Sequence, residues 1–273
     1  MTPLWMRRRR LGLALITSVV LVFLYLPIAA VLINAFNKDS TLATWGGVTG
    51  KWFGQAVSDP EIRHSFVQST KIALATTAIS VAIAICAALY WRSAGRWGRT
   101  LLDSTTFMRI ALPEVVTALA LFVMFRRLNI TLGIWTVIAG HVMFNSAYAT
   151  IVVQARVAAL DRTLEDAAAD LGAPPRRVFR RVVLPLLSPA VIVAALLTFT
   201  FSFDDVVTSL FLAGSGTVTL PMEIFGLVRF RVTPEVNAIG SGVMLVTLTG
   251  FTLAAVALFA SGGLRRTIGR ARA

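Results

Sequence analysis

Charge is what this sequence is short of. Asp, Glu, Lys and Arg together make up 14% of its 273 residues, against about 25% in an ordinary water-soluble domain. With 56% of the residues hydrophobic, so little charge excludes a water-soluble globular chain and leaves lipid as the solvent. Cysteine is nearly absent as well. The single Cys86 lies within an apolar run, which excludes an internal disulfide and any zinc site made of cysteine pairs. It reads as a small buried hydrophobe. Acidic residues are half as numerous as basic ones, 13 against 26. The resulting +13 would suit nucleic acid only on a solvated basic domain, and no such segment exists, so no nucleic-acid partner is expected. A nucleotide-binding phosphate loop is missing too: Gly50-Lys51 runs into Trp52 without the preceding glycine spacing. The chain therefore carries no catalytic residues of an ATPase, and any transport it performs draws energy from another subunit or from an ion gradient. No repeat or low-complexity segment divides it, and 1–273 reads as one domain.

What is present is a set of six apolar runs, each long enough to cross about 30 Å of hydrocarbon. They are Leu11–Phe36, Ile72–Trp91, Thr106–Phe125, Gly133–Val157, Ser188–Leu212 and Ala238–Ala260. The first follows Arg7–Arg10 and mimics a signal peptide, but it exceeds the usual apolar stretch of roughly 7–15 residues and reads as an uncleaved span. Arginine and lysine set the orientation. With the N-terminus inside, the inner segments hold 17 basic residues and the outer ones 8, with Arg109 near the inner end of the third span. The excess places both termini and the segment 158–187 in the cytoplasm. The expected fold is all-α, multi-pass, in a bacterial inner membrane.

Within that loop, Thr163 and Asp166 fit a capping box, and Leu164–Leu171 forms a short alanine-rich helix. Gly172 closes it in the left-handed conformation and Pro174-Pro175 prevents its continuation. A second helix, about Pro175–Leu187, puts Val178, Phe179, Val182, Val183 and Leu186 on one arc and Arg176, Arg177, Arg180 and Arg181 on the other, a basic amphipathic helix for the inner lipid surface.

Asp166-Ala167-Ala168, three residues, Gly172, nine residues, then Val182-Val183-Leu184-Pro185 resembles the EAA loop of binding-protein-dependent ABC permeases. Asp stands in place of the usual Glu, with Glu165 beside it, and Val in place of Ile. The resemblance implies a type I importer fold in which Glu165, Asp166, Ala167, Ala168, Gly172, Leu184 and Pro185 contact a dimeric cytoplasmic ATPase. That ATPase would hold ATP and magnesium, this chain carrying no cofactor or metal of its own. A second permease subunit, different in sequence, and an extracytoplasmic solute-binding protein would complete the assembly.

The fifth span contains Thr198-Phe-Thr-Phe-Ser-Phe-Asp204-Asp205-Val-Val-Thr-Ser209. Intramembrane carboxylates cost roughly 2.5–3.5 kcal/mol each on insertion scales. As a continuous helix the segment makes two polar stripes, Thr198/Ser202/Asp205/Ser209 and Thr200/Asp204/Thr208. Asp204 would lie about 24 Å from Ser188, in the outer half of the membrane. Asp204, Asp205 and Ser202, with Phe201 and Phe203 for cation–π contact, are candidates for a cation path. A purely structural carboxylate pair is the equal alternative.

The paired aspartates, Thr219-Leu-Pro-Met, Val232-Thr-Pro-Glu-Val-Asn237 and Ala111-Leu-Pro-Glu114 are similar to the spermidine/putrescine subgroup of these permeases. That resemblance implies a small cationic substrate. Another solute handled by the same superfamily, or less readily a self-contained secondary transporter, stays open. Glu114 either lines the cavity or bonds the kinked backbone, Glu223 is expected in a short outer helix facing the receptor, and His141 with Asn145 is expected to make interhelical hydrogen bonds. Trp135 and Tyr148 are candidates for the path or for packing and interfacial roles.

Overall fold

In a computed structural model of the chain, residues 4–230 and 233–260 are described. The arginines expected at the inner end, Arg265, Arg266, Arg270 and Arg272, and Arg231 and Val232 lie outside the described residues. The elements are α1 (Leu4–Asn34), α2 (Lys51–Ser58), α3 (Pro60–Ser93), α4 (Arg96–Ala111), α5 (Glu114–Arg127), α6 (Ile134–Ala158), α7 (Thr163–Asp170), α8 (Pro175–Val178), a π-helical turn (Phe179–Val183), α9 (Leu184–Phe203), α10 (Val207–Leu212), α11 (Leu220–Phe230) and α12 (Pro234–Ala260). No strand occurs among the described residues.

Among the described residues, four helical stretches are long and apolar enough to cross a membrane: Gly12–Asn34, Pro60–Ser93, Ile134–Ala158 and Pro175–Phe203. The pair α4 and α5 makes a fifth if a sharply bent pair counts as one span. α12 covers the sixth run and is uncharged from Asn237 to Ala260. At 1.5 Å per residue its 27 residues reach about 40 Å.

Two expected spans are broken. The third was expected as one span from Thr106 to Phe125 with its backbone kinked near Pro113, and α4 and α5 meet there at 100°. Leu112 is extended, with ψ 130, because the ring of Pro113 disfavours a helical residue before it, and proline has no N–H to continue the ladder. The fifth was expected as one helix over Ser188–Leu212. Instead α9 ends at Phe203 and α10 begins at Val207. A third correction concerns the basic amphipathic helix. It runs through the π turn directly into α9, and its apolar arc packs into protein. Val183 is buried with Ala84, Ala88, Ala149, Val153 and Leu187, and Phe179 packs on that cluster. Arg176, Arg177, Arg180 and Arg181 stay exposed.

The chain divides into two compact units, Met1–Arg63 with Ile224–Val246, and His64–Glu223 with the chain from Thr247. In the first, α1 buries none of its apolar window, so its surface is left to lipid or another chain. The loop after α1 is organised around Asn37, which is 1% exposed. Its Nδ2 donates to the carbonyls of Thr41 (3.3 Å) and Thr44 (2.7 Å), and its Oδ1 accepts from the amides of Asp39 (3.1 Å) and Gly46 (3.0 Å). Trp52 Nε1 donates to its carbonyl at 2.6 Å.

In the second unit α6 is the central helix. It packs on α4, α5, α9 and α10, and small residues permit the approach. Ala84 and Ala88 of α3 meet Ala149 and Val153 of α6 and Ala194 of α9 in one buried cluster. Near the N-terminus of α6, Ile72, Phe125, Val137, Ile138 and Leu212 form another. Gly140 lets α10 approach: a Cβ there would sit 2.5 Å from Leu212 Cδ1. Cys86, expected inside, is exposed on α3.

Candidate translocation and coupling sites

The break in the fifth span is made by its own polar residues. Asp205 accepts the Ser209 amide at 3.2 Å, one of the free amides of the first turn of α10. His141, 1% exposed on α6, holds both sides of the break. Its Nδ1 lies 2.7 Å from Ser202 Oγ on α9, and its Nε2 lies 3.2 Å from Ser209 Oγ on α10. Asp205 Oδ1 is 3.6 Å from the same Nε2. This is the expected interhelical role for His141. Asn145, by contrast, donates within its own helix to the His141 carbonyl at 2.9 Å.

Glu114 stands at the first position of α5, directly after the third-span bend. Thr208 Oγ1 donates to its Oε1 at 3.0 Å, and its side chain lines the same cleft as Asp205. Two helix breaks, separated by almost a hundred residues of chain, thus bring their carboxylates together. They open on a cleft of about 360 Å³ lined by Glu114, Asp204 and Asp205 with Phe144, Tyr148 and Phe201. The rings form one wall: Tyr148 meets Phe201 edge-on at 5.2 Å and Phe144 at 4.9 Å. Arg109 lies over Phe144, 5.0 Å from its centroid.

The expected candidates divide. Asp204, Asp205, Phe201, Glu114 and Tyr148 line the cleft. Ser202 and Phe203 do not: both are buried, Ser202 on His141 and Phe203 stacked on Phe199 at 5.7 Å and edge-on to Phe66. Trp135 is 77% exposed and lines no part of the cleft. Phe144 escaped sequence reading, although its i, i+4 spacing to Tyr148 on one span is a visible signal. Chemically, three carboxylates beside three aromatic faces favour an organic cation of modest width.

The loop after α6 forms its expected short helix with a different start. Thr163 and Asp166 make no capping box. Asp161 instead accepts the Thr163 amide at 2.9 Å, and no side-chain cap closes the helix. Gly172 adopts φ +77 and donates to the Ala169 carbonyl at 2.8 Å, while Ala173 donates to that of Ala168 at 3.1 Å, a left-handed helix ending. α7 buries no residue. Leu164 and Leu171 are 48% and 88% exposed, and Asp166 and Ala167 are exposed with them. Glu165 pairs with Arg92. Leu184 and Pro185 open α9, and Glu223 lies in α11.

The family described as "binding-protein-dependent transport system inner membrane component" matches residues 79–265, which include both helix breaks and the α7 loop. The chain belongs to this family. As a transport-system inner membrane component it is a multi-pass membrane subunit and not an enzyme. Its relatives include the spermidine/putrescine transport system permease protein PotC of Haemophilus influenzae, 34% identical over 84% of this chain and 90% of that protein. The putrescine transport system permease protein PotI of Escherichia coli is 35% identical over 84% of each chain. Among solved structures, a chain of a bacterial ABC transporter that imports the acidic polysaccharide alginate aligns over 94% of this chain and 98% of its own, with TM-score 0.69 and 15% identity. A chain of an amino acid ABC transporter aligns over 76% and 94%, with TM-score 0.56 and 18% identity. The inner membrane component therefore has the fold of ABC transporter membrane chains.

Proposed function

We propose that the chain is the translocating subunit of an ATP-driven importer for a polyamine such as putrescine or spermidine. The observation that carries the reading is the cleft at the fifth-span break, where Glu114, Asp204 and Asp205 stand beside Phe144, Tyr148 and Phe201. A polyammonium chain entering a membrane loses hydration, and fixed negative charge with aromatic faces replaces that water. The names of the relatives at 34% and 35% identity support the same substrate class.

In this reading both termini face the cytoplasm. Each half of a permease pair, this chain and a different one, presents its α7 to one copy of a cytoplasmic ATPase dimer that holds ATP and magnesium. Asp166, Ala167, Ala168 and Gly172 form the contact, with Leu184 and Pro185 at the foot of α9 behind it. A solute-binding protein docks on the opposite side, towards Glu223, and delivers the cation.

The test is purification with the neighbouring gene products, followed by labelled putrescine and spermidine uptake in proteoliposomes. Saturable uptake that needs ATP, the ATPase and the receptor is expected. Uptake driven by an ion gradient without any ATPase, or uptake of an uncharged solute alone, overturns the reading.

A further inference from the structure

An ion pair and a helix-end hydrogen bond tie α7 to α3. α7 buries none of its side chains, and a cleft of about 320 Å³ lies beneath it, with Glu165, Asp166 and Ala169 on one wall and Leu89, Val178 and Phe179 on the other. Arg92 in the last turn of α3 pairs with Glu165 in the first turn of α7. Arg162, the residue before α7, donates from Nη2 to the Arg92 carbonyl at 2.8 Å. Arg99, in α4, donates to the same carbonyl at 3.0 Å and to that of Trp91 at 2.9 Å. The last carbonyls of a helix lack intrahelical partners and attract cations, so the end of α3 is a natural meeting point for arginines from two segments. Trp91 Nε1 and Gln154 Nε2 both donate to Asp103, at 3.3 and 2.8 Å, which ties α3, α4 and α6 at the same level.

From this cluster we infer that Arg92 and Glu165 are positioning residues: they fix α7 against the ends of α3 and α4 and carry its displacement into the bundle. The inference rests on α7 being the ATPase-docking helix. The side chains of the pair are 11% and 31% exposed, so solvent screens it less than a surface pair, and removing one partner strands a largely sheltered charge. Glu165 is then engaged by its own chain, and the exposed Asp166 is the carboxylate left for the ATPase. Because the cleft leaves little apolar packing between α7 and α3, the ion pair is the rigid link by which a push on α7 reaches α3.

The experiment is a charge-reversal cycle in the complete complex: Arg92→Glu, Glu165→Arg and both together. Each single variant is expected to lower uptake by about fivefold or more, and the double variant is expected to recover uptake to within about twofold of wild type, as for a directly interacting pair. A second readout needs no ATPase. In a Cys86→Ser background, maleimide labelling of Ala169→Cys on the purified chain should accelerate in each single variant and slow again in the double. If the wild-type chain binds no ATPase, the docking reading falls and the labelling cycle alone decides the clamp. Single variants that transport and label like wild type, or a double variant no better than the singles at matched amounts of folded protein, overturn it.

Discussion

Replacing His141 with leucine tests whether the two halves of the broken span are held by one buried imidazole. Leucine preserves apolar bulk but removes both ring nitrogens. It leaves Ser202 Oγ and Ser209 Oγ, at 2.7 and 3.2 Å in the wild type, without that partner, and Asp205 without its neighbour at 3.6 Å. A buried hydroxyl left unpaired costs about 1–3 kcal/mol in soluble proteins, whereas interhelical hydrogen bonds in membranes average about 0.6 kcal/mol because the serines find backbone partners. Two bonds therefore bracket the loss at about 1–6 kcal/mol, and the membrane value favours the lower third, about 1–2 kcal/mol. That corresponds to a fall of about 2–8 °C in apparent melting temperature for a chain of this size. Thermal unfolding in detergent, followed by aggregation-sensitive chromatography, reads it. His141→Gln, which restores a donor and an acceptor, should recover at least half of the loss. A leucine variant that melts with wild type, or a glutamine variant no better than leucine, refutes the bridging role.

Three further outcomes follow from local geometry. Gly172→Val forces a β-branched residue into φ +77, costing about 1–2 kcal/mol, and Ala168→Trp adds bulk on α7, the helix proposed to dock the ATPase. Both should abolish uptake and loosen the ATPase in pull-down while receptor docking persists. Gly140→Val places a Cβ 2.7 Å from Thr208 Cγ2 and 2.5 Å from Leu212 Cδ1. Overpacking of about 1–3 kcal/mol should lower the melting temperature and, by shifting the Thr208 that holds Glu114, reduce uptake. Outside the membrane, the Thr44 hydroxyl and the Thr41 amide hold Asp39 below its ordinary value of 3.8. A carboxyl lowered in the folded loop adds stability that is complete above that ordinary value and is lost as pH falls through the lower folded value. Proteolysis of the 37–49 loop should therefore rise only under that acidification, and the dependence should vanish in Asp39→Asn.

The parts of this fold most legible in the sequence are those written by local rules. Gly172 and the two prolines marked the end of α7, and apolar length marked the spans. The breaks were harder to read. Periodicity treats Phe203-Asp204-Asp205 as polar points on a helix, but a carboxylate that accepts the Ser209 amide ends one helix and begins another, so the stripes drawn through Ser202 and Asp205 dissolve. Aspartate ahead of an apolar stretch is a capping signal, and it was available. Pro113 carried the same message in the third span. The partners of the coupling loop were not legible, because Arg92 and Glu165 are far apart in sequence and either could have faced solvent. The basic helix after Pro175 misled for a related reason: its apolar arc suits lipid and protein equally, and only packing by Ala84, Ala88 and Leu187 decides between them.

The central claim is that the cleft at the helix breaks receives an organic cation. It is tested most directly by ATP-dependent uptake of labelled putrescine or spermidine in proteoliposomes, comparing wild type with the Asp204→Asn/Asp205→Asn double variant at matched amounts of intact complex. Asparagine keeps shape and hydrogen bonding and removes the charge. Uptake reduced by about tenfold or more, equivalent to about 1.4 kcal/mol, with receptor-free ATP hydrolysis nearly unchanged, is the predicted result. A double variant that transports like wild type contradicts the account and makes the pair structural.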